Sequence, residues 1–326
     1  MKSFEYAAPK TVKEATALLG DSWGESEILA GGTDLVTSLK QHITSPKKVV
    51  SLRNISDLQG IKSDSSSVRI GAMTTLDDLI ANKDLQKHFP AIITAAKNIS
   101  SPQILSRGTV GGDLCQRPRC WYYRNGFGLV GKNGDVSQVK NGDNRYHAIF
   151  GTDSSALFVN PSSLAPALIA LGATLKAEGP NGKKRDISAA EFFRAPKSEQ
   201  EREYALKPNE VLTEISIPIK GLKNATYEVR HRQGLDWPYV TASVAYAEKN
   251  GNVNDARVVL GHVAATPWVA VGAGKALNNA ALNDDAVSKC AEAAVDGAKP
   301  LSKNGYKVQL AKTAVKRALL ASRAAA

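Results

Sequence analysis

Several things are missing from these 326 residues, and each absence removes a class of function. No apolar run approaches the length that a bilayer-spanning helix needs. Cysteine is scarce: Cys115, Cys120 and Cys290 are too few and too scattered for a disulfide framework. The five histidines are scattered too, and no HxxxH or CxxC spacing occurs, so the sequence predicts no metal site. The opening stretch "MKSFEYAAPKTVKEA" has no apolar centre of the kind a secretory signal carries. That predicts a cytoplasmic protein, or one exported only with a partner that bears the signal. No repeat of solenoid length is present.

What is present describes a folded, basic protein. Apolar residues make up 43% and charged residues 22%, the proportions of a globular chain rather than a disordered one. The length allows two or three cores. The formal net charge is +11, which opens a reading as a binder of nucleic acid or of an acidic partner, although charge bears on association more than on fold.

The patterning starts as an α/β unit. "TVKEATALLG" places Val12, Ala15, Leu18 and Leu19 at helical spacing with a stop at Gly20; "SEILAGG" predicts a short buried strand, "DLVTSLKQHI" a helix and "KKVVSL" a strand. A second block follows, with strand "SVRIGAM", a Thr-capped helix "TTLDDLIAN", helix "HFPAIITAAKNI", then "PSSLAPALIALGATLKAE" as helix and strand and "EVLTEISIPI" as a strand. Residues 115–158 interrupt it with Arg, aromatics, Gly and Asn and no clean period, a long excursion of the kind that is usually functional or disordered. Near residue 222 the texture changes to three strand-like runs, "ATYEVRHR", "PYVTASVAYAE" and "VNDARVVLGHV", followed by Ala-rich helix.

Two diglycine turns stand out, "ILAGGTDLV" at 28–36 and "GTVGGDL" at 108–114. Glycine admits positive φ and removes the Cβ that would block a ligand, and successive N–H groups in such a turn form an anion pocket. "GGTDL" adds a hydroxyl and a carboxylate suited to ribityl or ribose hydroxyls. The alternative is plain: Gly31 and Gly32 make a tight turn, and Thr33 or Asp34 caps a helix. Neither turn is a phosphate loop ending in Gly-Lys-Ser/Thr, and neither is GxGxxG, so a Rossmann site is not supported there. Two such turns brought together would make a cleft of backbone donors for a long ligand with a diphosphate at its middle.

The order of "ILAGGTDLV", "VVSLRNISDLQGI", "VRIGAMTTLDDL", "ISSPQILSRGTVGGDL", "NPSSLAPALIALGA" and "LTEISIPI" resembles the FAD-binding subunits of the molybdenum hydroxylases. These are the flavoprotein subunits or domains of the xanthine dehydrogenase, aldehyde oxidoreductase and carbon monoxide dehydrogenase family. The resemblance runs over nearly the whole chain. It implies an α+β protein: a two-subdomain FAD-binding domain of the PCMH, vanillyl-alcohol-oxidase-like type over 1–222, with subdomains of about 1–60 and 61–222, then a C-terminal α+β domain over 223–326 with a three-stranded antiparallel sheet and helices. The cofactor implied is FAD. Leu29, Ala30, Gly31, Gly32, Thr33 and Asp34 would wrap its pyrophosphate; Thr109, Gly111, Gly112 and Asp113 would support pyrophosphate and flavin; Ser163 would lie near it and Leu212 against the flavin side.

The chain also departs from the family pattern, which usually has Asn at the position of Asp113, Asp at Ser163 and Lys at Glu228. The last change removes a positive charge that could stabilise reduced flavin. The 115–158 segment resembles a branch in which some relatives hold a [4Fe–4S] cluster on four cysteines. Here only Cys115 and Cys120 are local, so no cluster is expected and Cys120 is read as a remnant or packing residue.

Other features carry two readings each. "RPRCWYYR" combines Arg117, Arg119 and Arg124 with Trp121, Tyr122 and Tyr123; stacking on single-stranded nucleic acid is one reading, and docking against a partner subunit is the preferred one. His231 and Asp236 would suit an acid–base pair, with a structural role as the alternative. The terminal helix sets Val308, Ala311, Val315, Ala318 and Leu319 on one face, for packing rather than for a membrane surface. The function implied is an electron-transfer subunit with no catalytic residue of its own. It would pass electrons from iron–sulfur centres of a [2Fe–2S] small subunit to an external acceptor, while hydroxylation occurs on a molybdopterin-binding large subunit. No nucleic-acid or membrane partner is expected. A stand-alone FAD oxidoreductase and a cofactor-free basic module are the rivals.

Overall fold

The computed structural model describes residues 1–99, 101–232 and 236–324. Three sheets organise the chain. The first is small and parallel, in the order β1 (Glu5–Ala7), β3 (Lys48–Ser51), β2 (Ser26–Leu29). Parallel neighbours need crossovers, and the helices Val12–Leu18 and Leu35–Lys40 supply them. The first is capped by the Thr11 hydroxyl, which accepts from the Glu14 N–H, and buries Ala15 and Leu19 against Val50 and Leu52.

The second sheet has the order β4 (Ile61–Ser63), β5 (Ser67–Gly71), β10 (Val211–Pro218), β8 (Thr174–Glu178), β9 (Lys184–Ser188), all antiparallel. Val68, Ile70, Leu175, Ile215 and Ile217 point into one core with alternating neighbours outside. The helix Ala165–Leu171 is buried on every side because it packs between this sheet and the next one; an apolar surface all round is what such a position requires. Between β5 and β8 lies the 115–158 excursion, which carries the short hairpin β6 (Lys132–Asn133) and β7 (Val136–Ser137) and the one-turn helices Trp121–Arg124 and Gln138–Asn141.

The third sheet corrects the sequence expectation. It has four strands, β11 (Lys223–Val229), β12 (Val240–Lys249), β13 (Asn252–Gly261) and β14 (Trp268–Val269), not three. The fourth is two residues long, too short to show a period of two, and sits inside the stretch that leads into a helix. Helices Val271–Leu277 and Tyr306–Ala324 cover the sheet, and Asp284–Ala293 packs on both of them. In the last one Ala311, Val315, Ala318 and Leu319 are fully buried in the core, so the apolar face is used for packing. Among the described residues no helix is long and apolar enough to cross a membrane.

The excursion is stitched to this last unit. Ile149 and Phe150 N–H groups donate to the Val263 carbonyl at 2.8 and 3.1 Å, the Asn304 side chain donates to the carbonyls of His147 and Ala148, and Phe150 stacks on Trp268.

Candidate functional site

The first diglycine turn follows β2 at its carboxyl end. Gly32 has φ +80, a conformation that glycine adopts freely. Gly31 is glycine for a different reason: a Cβ there would stand 1.8 Å from the carbonyl oxygen of Arg107, just before the second turn. Among the described residues, none of the amides of Gly31, Gly32, Thr33 and Asp34 donates to a protein acceptor. Four successive N–H groups without partners make an anion-binding concavity.

The second turn is organised differently. Val110 N–H donates to the Thr74 carbonyl, Gly111 N–H to the Ala72 carbonyl at 2.8 Å, Asp113 N–H to the Thr109 carbonyl, and Gly112 N–H to the Thr109 hydroxyl at 3.1 Å. Thr109 is the N-cap of the helix Val110–Cys115. Among the described residues only the Thr109 N–H of this turn has no protein acceptor, which corrects the picture of two equal donor loops facing each other. Its glycines provide space: a Cβ on Gly111 would sit 2.9 Å from Ala72, and one on Gly112 would reach Ala30 at 4.0 Å.

The turns meet along a cleft made of two adjoining cavities. The larger, about 1140 Å³ with its open part, is lined by Ala30, Gly31, Gly32, Thr33, Asp34, Thr109, Gly111, Gly112 and Leu212 among others. The smaller, about 740 Å³, is lined by Asp113 and Ser163, with Asn98, Arg230 and Trp237. Thr33, Asp34, Thr109, Gly112 and Gln116 belong to both walls, so two of the four residues with free amides stand at the neck between the cavities and the other two, Gly31 and Gly32, beside it in the larger. Of the cofactor-binding residues expected from the sequence, Leu29 alone lines neither cavity. It ends β2, and its carbonyl accepts from the Leu52 N–H. The walls also hold residues that the sequence did not mark. Trp23 and Tyr204 meet edge to face, and the Arg202 guanidinium lies over the Trp23 ring. Nothing in the pattern around either aromatic announces this.

Asp34 does not spend its carboxylate on the cleft alone. It accepts from the Arg117 backbone N–H at 2.8 Å and from the Arg124 guanidinium at 2.9 Å, with the Arg119 guanidinium at 3.2 Å. Arg117 in turn pairs with the buried Glu203 at 2.9 Å. All three arginines of "RPRCWYYR" thus face inward, and Tyr123 is buried beneath two of them. The arginines of this segment are bound to the glycine turn and its surroundings, while Trp121 and Tyr122 stay partly exposed.

Asp113 is buried, and its carboxylate accepts from Gln116 Nε2, the Ser162 hydroxyl and the Leu164 N–H. Burial pushes its pKa up to about 6 against those hydrogen bonds. Glu228 pairs with Arg230 on the flank of the smaller cavity, and Ser163 and Asn98 stand beside the same carboxylate. Burial raises the Glu228 pKa against the pull of Arg230.

Cys120 packs with Leu129, Ala156 and Phe158, and its sulfur lies 3.1 Å from His147 Nε2. Among the described residues no group of three or more His, Cys, Asp or Glu side chains could hold a metal ion. "GFGLVG" at 126–131 has the GxGxxG spacing but follows a one-turn helix, not a strand, and its Leu129 and Val130 amides donate to Glu199. His231 is exposed; Asp236 accepts from the Arg232 and Trp237 N–H groups instead. Residues 233–235 between them, and residue 100, lie outside the described residues.

These residues fit FAD. Four unpartnered amides run along the larger chamber to the neck of a two-chambered cleft, where a diphosphate between two ring systems needs donors, and each chamber is of ligand size. Comparison with known proteins agrees. Residues 2–220 match the family model for the FAD binding domain in molybdopterin dehydrogenase, and residues 225–322 match that for the CO dehydrogenase flavoprotein C-terminal domain. The carbon monoxide dehydrogenase medium chain of Hydrogenophaga pseudoflava is 32% identical over 98% of this chain and 96% of its own. The aldehyde oxidoreductase FAD-binding subunit PaoB of Escherichia coli strain K12 is 29% identical over the full length of both. A solved structure of carbon monoxide dehydrogenase from Hydrogenophaga pseudoflava superposes with a TM-score of 0.78 at 31% identity, covering 99% of this chain and 98% of that one. The chain belongs to the FAD-binding, or medium, subunits of the molybdenum hydroxylase family, oxidoreductases built from several subunits, and its cofactor is FAD.

Proposed function

We propose that this chain is the electron-transfer subunit of a heteromeric molybdenum-cofactor hydroxylase. It takes electrons from iron–sulfur centres of a [2Fe–2S] small subunit and delivers them to an external acceptor, while a molybdopterin-binding large subunit hydroxylates the substrate. The observation that carries the reading is the row of unpartnered amides from Gly31 to Asp34, which runs along the larger chamber to the neck of the cleft. Two domains dividing near residue 222 belong to the same reading, supported by the two family models on either side of it.

In this reading the amides of Gly31, Gly32, Thr33 and Asp34 hold the pyrophosphate, while Ala30, Thr109, Gly111 and Gly112 clear the space it needs. Leu212, 5% exposed on β10, supplies an apolar wall in the larger chamber. In the smaller chamber, Asp113 fixes the helix Val110–Cys115 to the segment that carries Ser163. FAD, when bound, supplies the chemistry of accepting and releasing electrons. The chain's own part is to bind and orient it and to set the field around it. Arg119 and Arg230 are cations on that wall, and Asp34 and Glu228 beside them offset their charges, which disfavours accumulation of negative charge on a reduced cofactor.

The test is co-purification of the full chain from its native complex with a visible spectrum and flavin identification. One FAD per chain and two further subunits are expected. A colourless chain that takes up no added FAD overturns the reading. Turnover by the chain alone, with no partners, would instead establish a stand-alone flavin oxidoreductase.

A further inference from the structure

Three arginines line the two-chambered cleft: Arg117 in the larger chamber, Arg119 and Arg230 in the smaller. Two of them have a carboxylate to themselves. Arg117 pairs with Glu203 at 2.9 Å, and Arg230 holds Glu228 through both Nε and Nη2. Arg119 has to share. Its Nη1 lies 3.2 Å from Asp34 Oδ1, the same oxygen that accepts from Arg124 Nη2 at 2.9 Å. Asp113, the other acid on the wall of the smaller chamber, is held by neutral donors. One carboxylate between two guanidiniums offsets one of them and leaves a positive charge over at the neck. That setting is half-buried, where an unbalanced charge calls for a partner.

Arg119 is also fixed in place. It shares the wall of the smaller chamber with Thr33, Asp34 and Gly112 of the neck. Gln116, another neck residue, uses its amide nitrogen on the Asp113 carboxylate and backbone carbonyl. Its Oε1 is thereby turned to Arg119 and accepts from Nη2 at 2.9 Å. The Trp237 ring lies 4.8 Å from the centre of the same guanidinium. A side-chain oxygen, a carboxylate and a ring face together set the plane of the group. A guanidinium carries more N–H donors than Gln116 and Asp34 take up, and among the described residues Arg119 Nε has no acceptor.

We propose that Arg119, a residue of the 115–158 excursion, is the cation of the diphosphate seat: its guanidinium donates to the phosphate oxygens of FAD, while the amides of Gly31–Asp34 donate to them from the turn. The inference rests on the pyrophosphate seat proposed above. A diphosphate is a dianion, and bonds to it from a fixed guanidinium are of the charge-assisted, stronger kind. The amides give direction without a full charge, and the helix Leu35–Lys40 behind them has only 6 residues over which to build a dipole. The surplus charge at the neck is then taken up by the diphosphate. None is left over for the flavin, in keeping with the pairing of Arg230 and Glu228.

The experiment is titration of the full chain, stripped of flavin, with FAD, followed by flavin fluorescence. Competition by ADP, which carries the diphosphate without the flavin, is measured on the same sample. In Arg119→Gln, both FAD binding and ADP competition are expected to be about tenfold or more weaker, with the urea unfolding midpoint unchanged. Arg119→Met repeats both measurements if the first variant fails to fold. FAD affinity unchanged in both variants overturns the inference and leaves the seat standing. Weakened FAD with ADP competition unchanged also overturns it, because the guanidinium would then act on the flavin. An unaltered chain that takes up no FAD, or in which ADP does not compete with FAD, overturns the diphosphate seat and the inference with it.

Discussion

At the first diglycine turn the amides of Gly31, Gly32, Thr33 and Asp34 have no protein acceptors, whereas at the second the amides of Val110, Gly111, Gly112 and Asp113 all do. The acidic residues that close the turns differ in the same way. Asp34 is held by arginines and a backbone N–H, and Asp113 by neutral donors in a buried setting. One spelling, Gly-Gly followed by an acid, thus performs two jobs. The first turn supplies a row of donors, the second supplies mainly room with the single free amide of Thr109, and only the hydrogen-bond partners separate them.

Three substitutions test that division. Gly31→Ala should have the largest effect, because the new Cβ meets a backbone carbonyl at 1.8 Å and neither turn can yield without moving its strand or helix. A loss of about 3 kcal/mol or more is expected, together with loss of flavin. Urea unfolding and flavin stoichiometry equal to those of the unaltered chain would show that the two turns do not need each other.

Asp113→Asn comes next and is read through pH. The folded-state pKa is raised from 3.8 to about 6, so stabilisation from the protonated, buried carboxyl is full below 3.8 and is lost as pH rises through 6. The size is up to about 3 kcal/mol. The variant should lack this downward slope between pH 4 and pH 7. Contributions from His147 and His262, which fall as pH falls, are common to both proteins and cancel in the difference. Identical stability profiles would place the Asp113 carboxyl in contact with water or a cation.

Gly112→Ala should be the mildest. Its Cβ would press on the Thr109 hydroxyl at 2.9 Å, a side chain able to turn aside. About 1 kcal/mol of stability and a roughly tenfold weaker FAD affinity, or about 1.4 kcal/mol, are expected by equilibrium dialysis. A stability loss matching that of Gly31→Ala would erase the distinction between the turns.

Much of this was legible in the residues. The strand, glycine turn and helix of residues 26–40 are where the pattern put them, as are the Thr75 cap and the buried helix Ala165–Leu171, because apolar period and capping are local signals. The diglycine turns were visible as a pair, yet their difference was not. Which amide is free depends on Thr74, Ala72 and the Thr109 hydroxyl arriving from elsewhere or folding back. The inward turn of Arg117, Arg119 and Arg124 was hidden for the same reason: Asp34 and Glu203, their partners, lie 83 and 86 positions from Arg117. Trp23 and Tyr204 reach the cleft from opposite ends of the FAD-binding region, and no spacing rule joins them. β14 was missed because two residues carry no period.

The bonds converging on Asp34 bear on how such a chain can change over generations. In the sequence, residues 115–158 look like a module that could be inserted or removed without touching the rest. In the folded protein, a carboxylate of the turn that presents the free amides is anchored by that segment, through Arg117, Arg119 and Arg124. Cutting the segment out would strand a half-buried charge at the mouth of the cofactor cleft. The excursion is therefore modular in its writing and not in its energetics, and any trimming of it has to be accompanied by a change at residue 34.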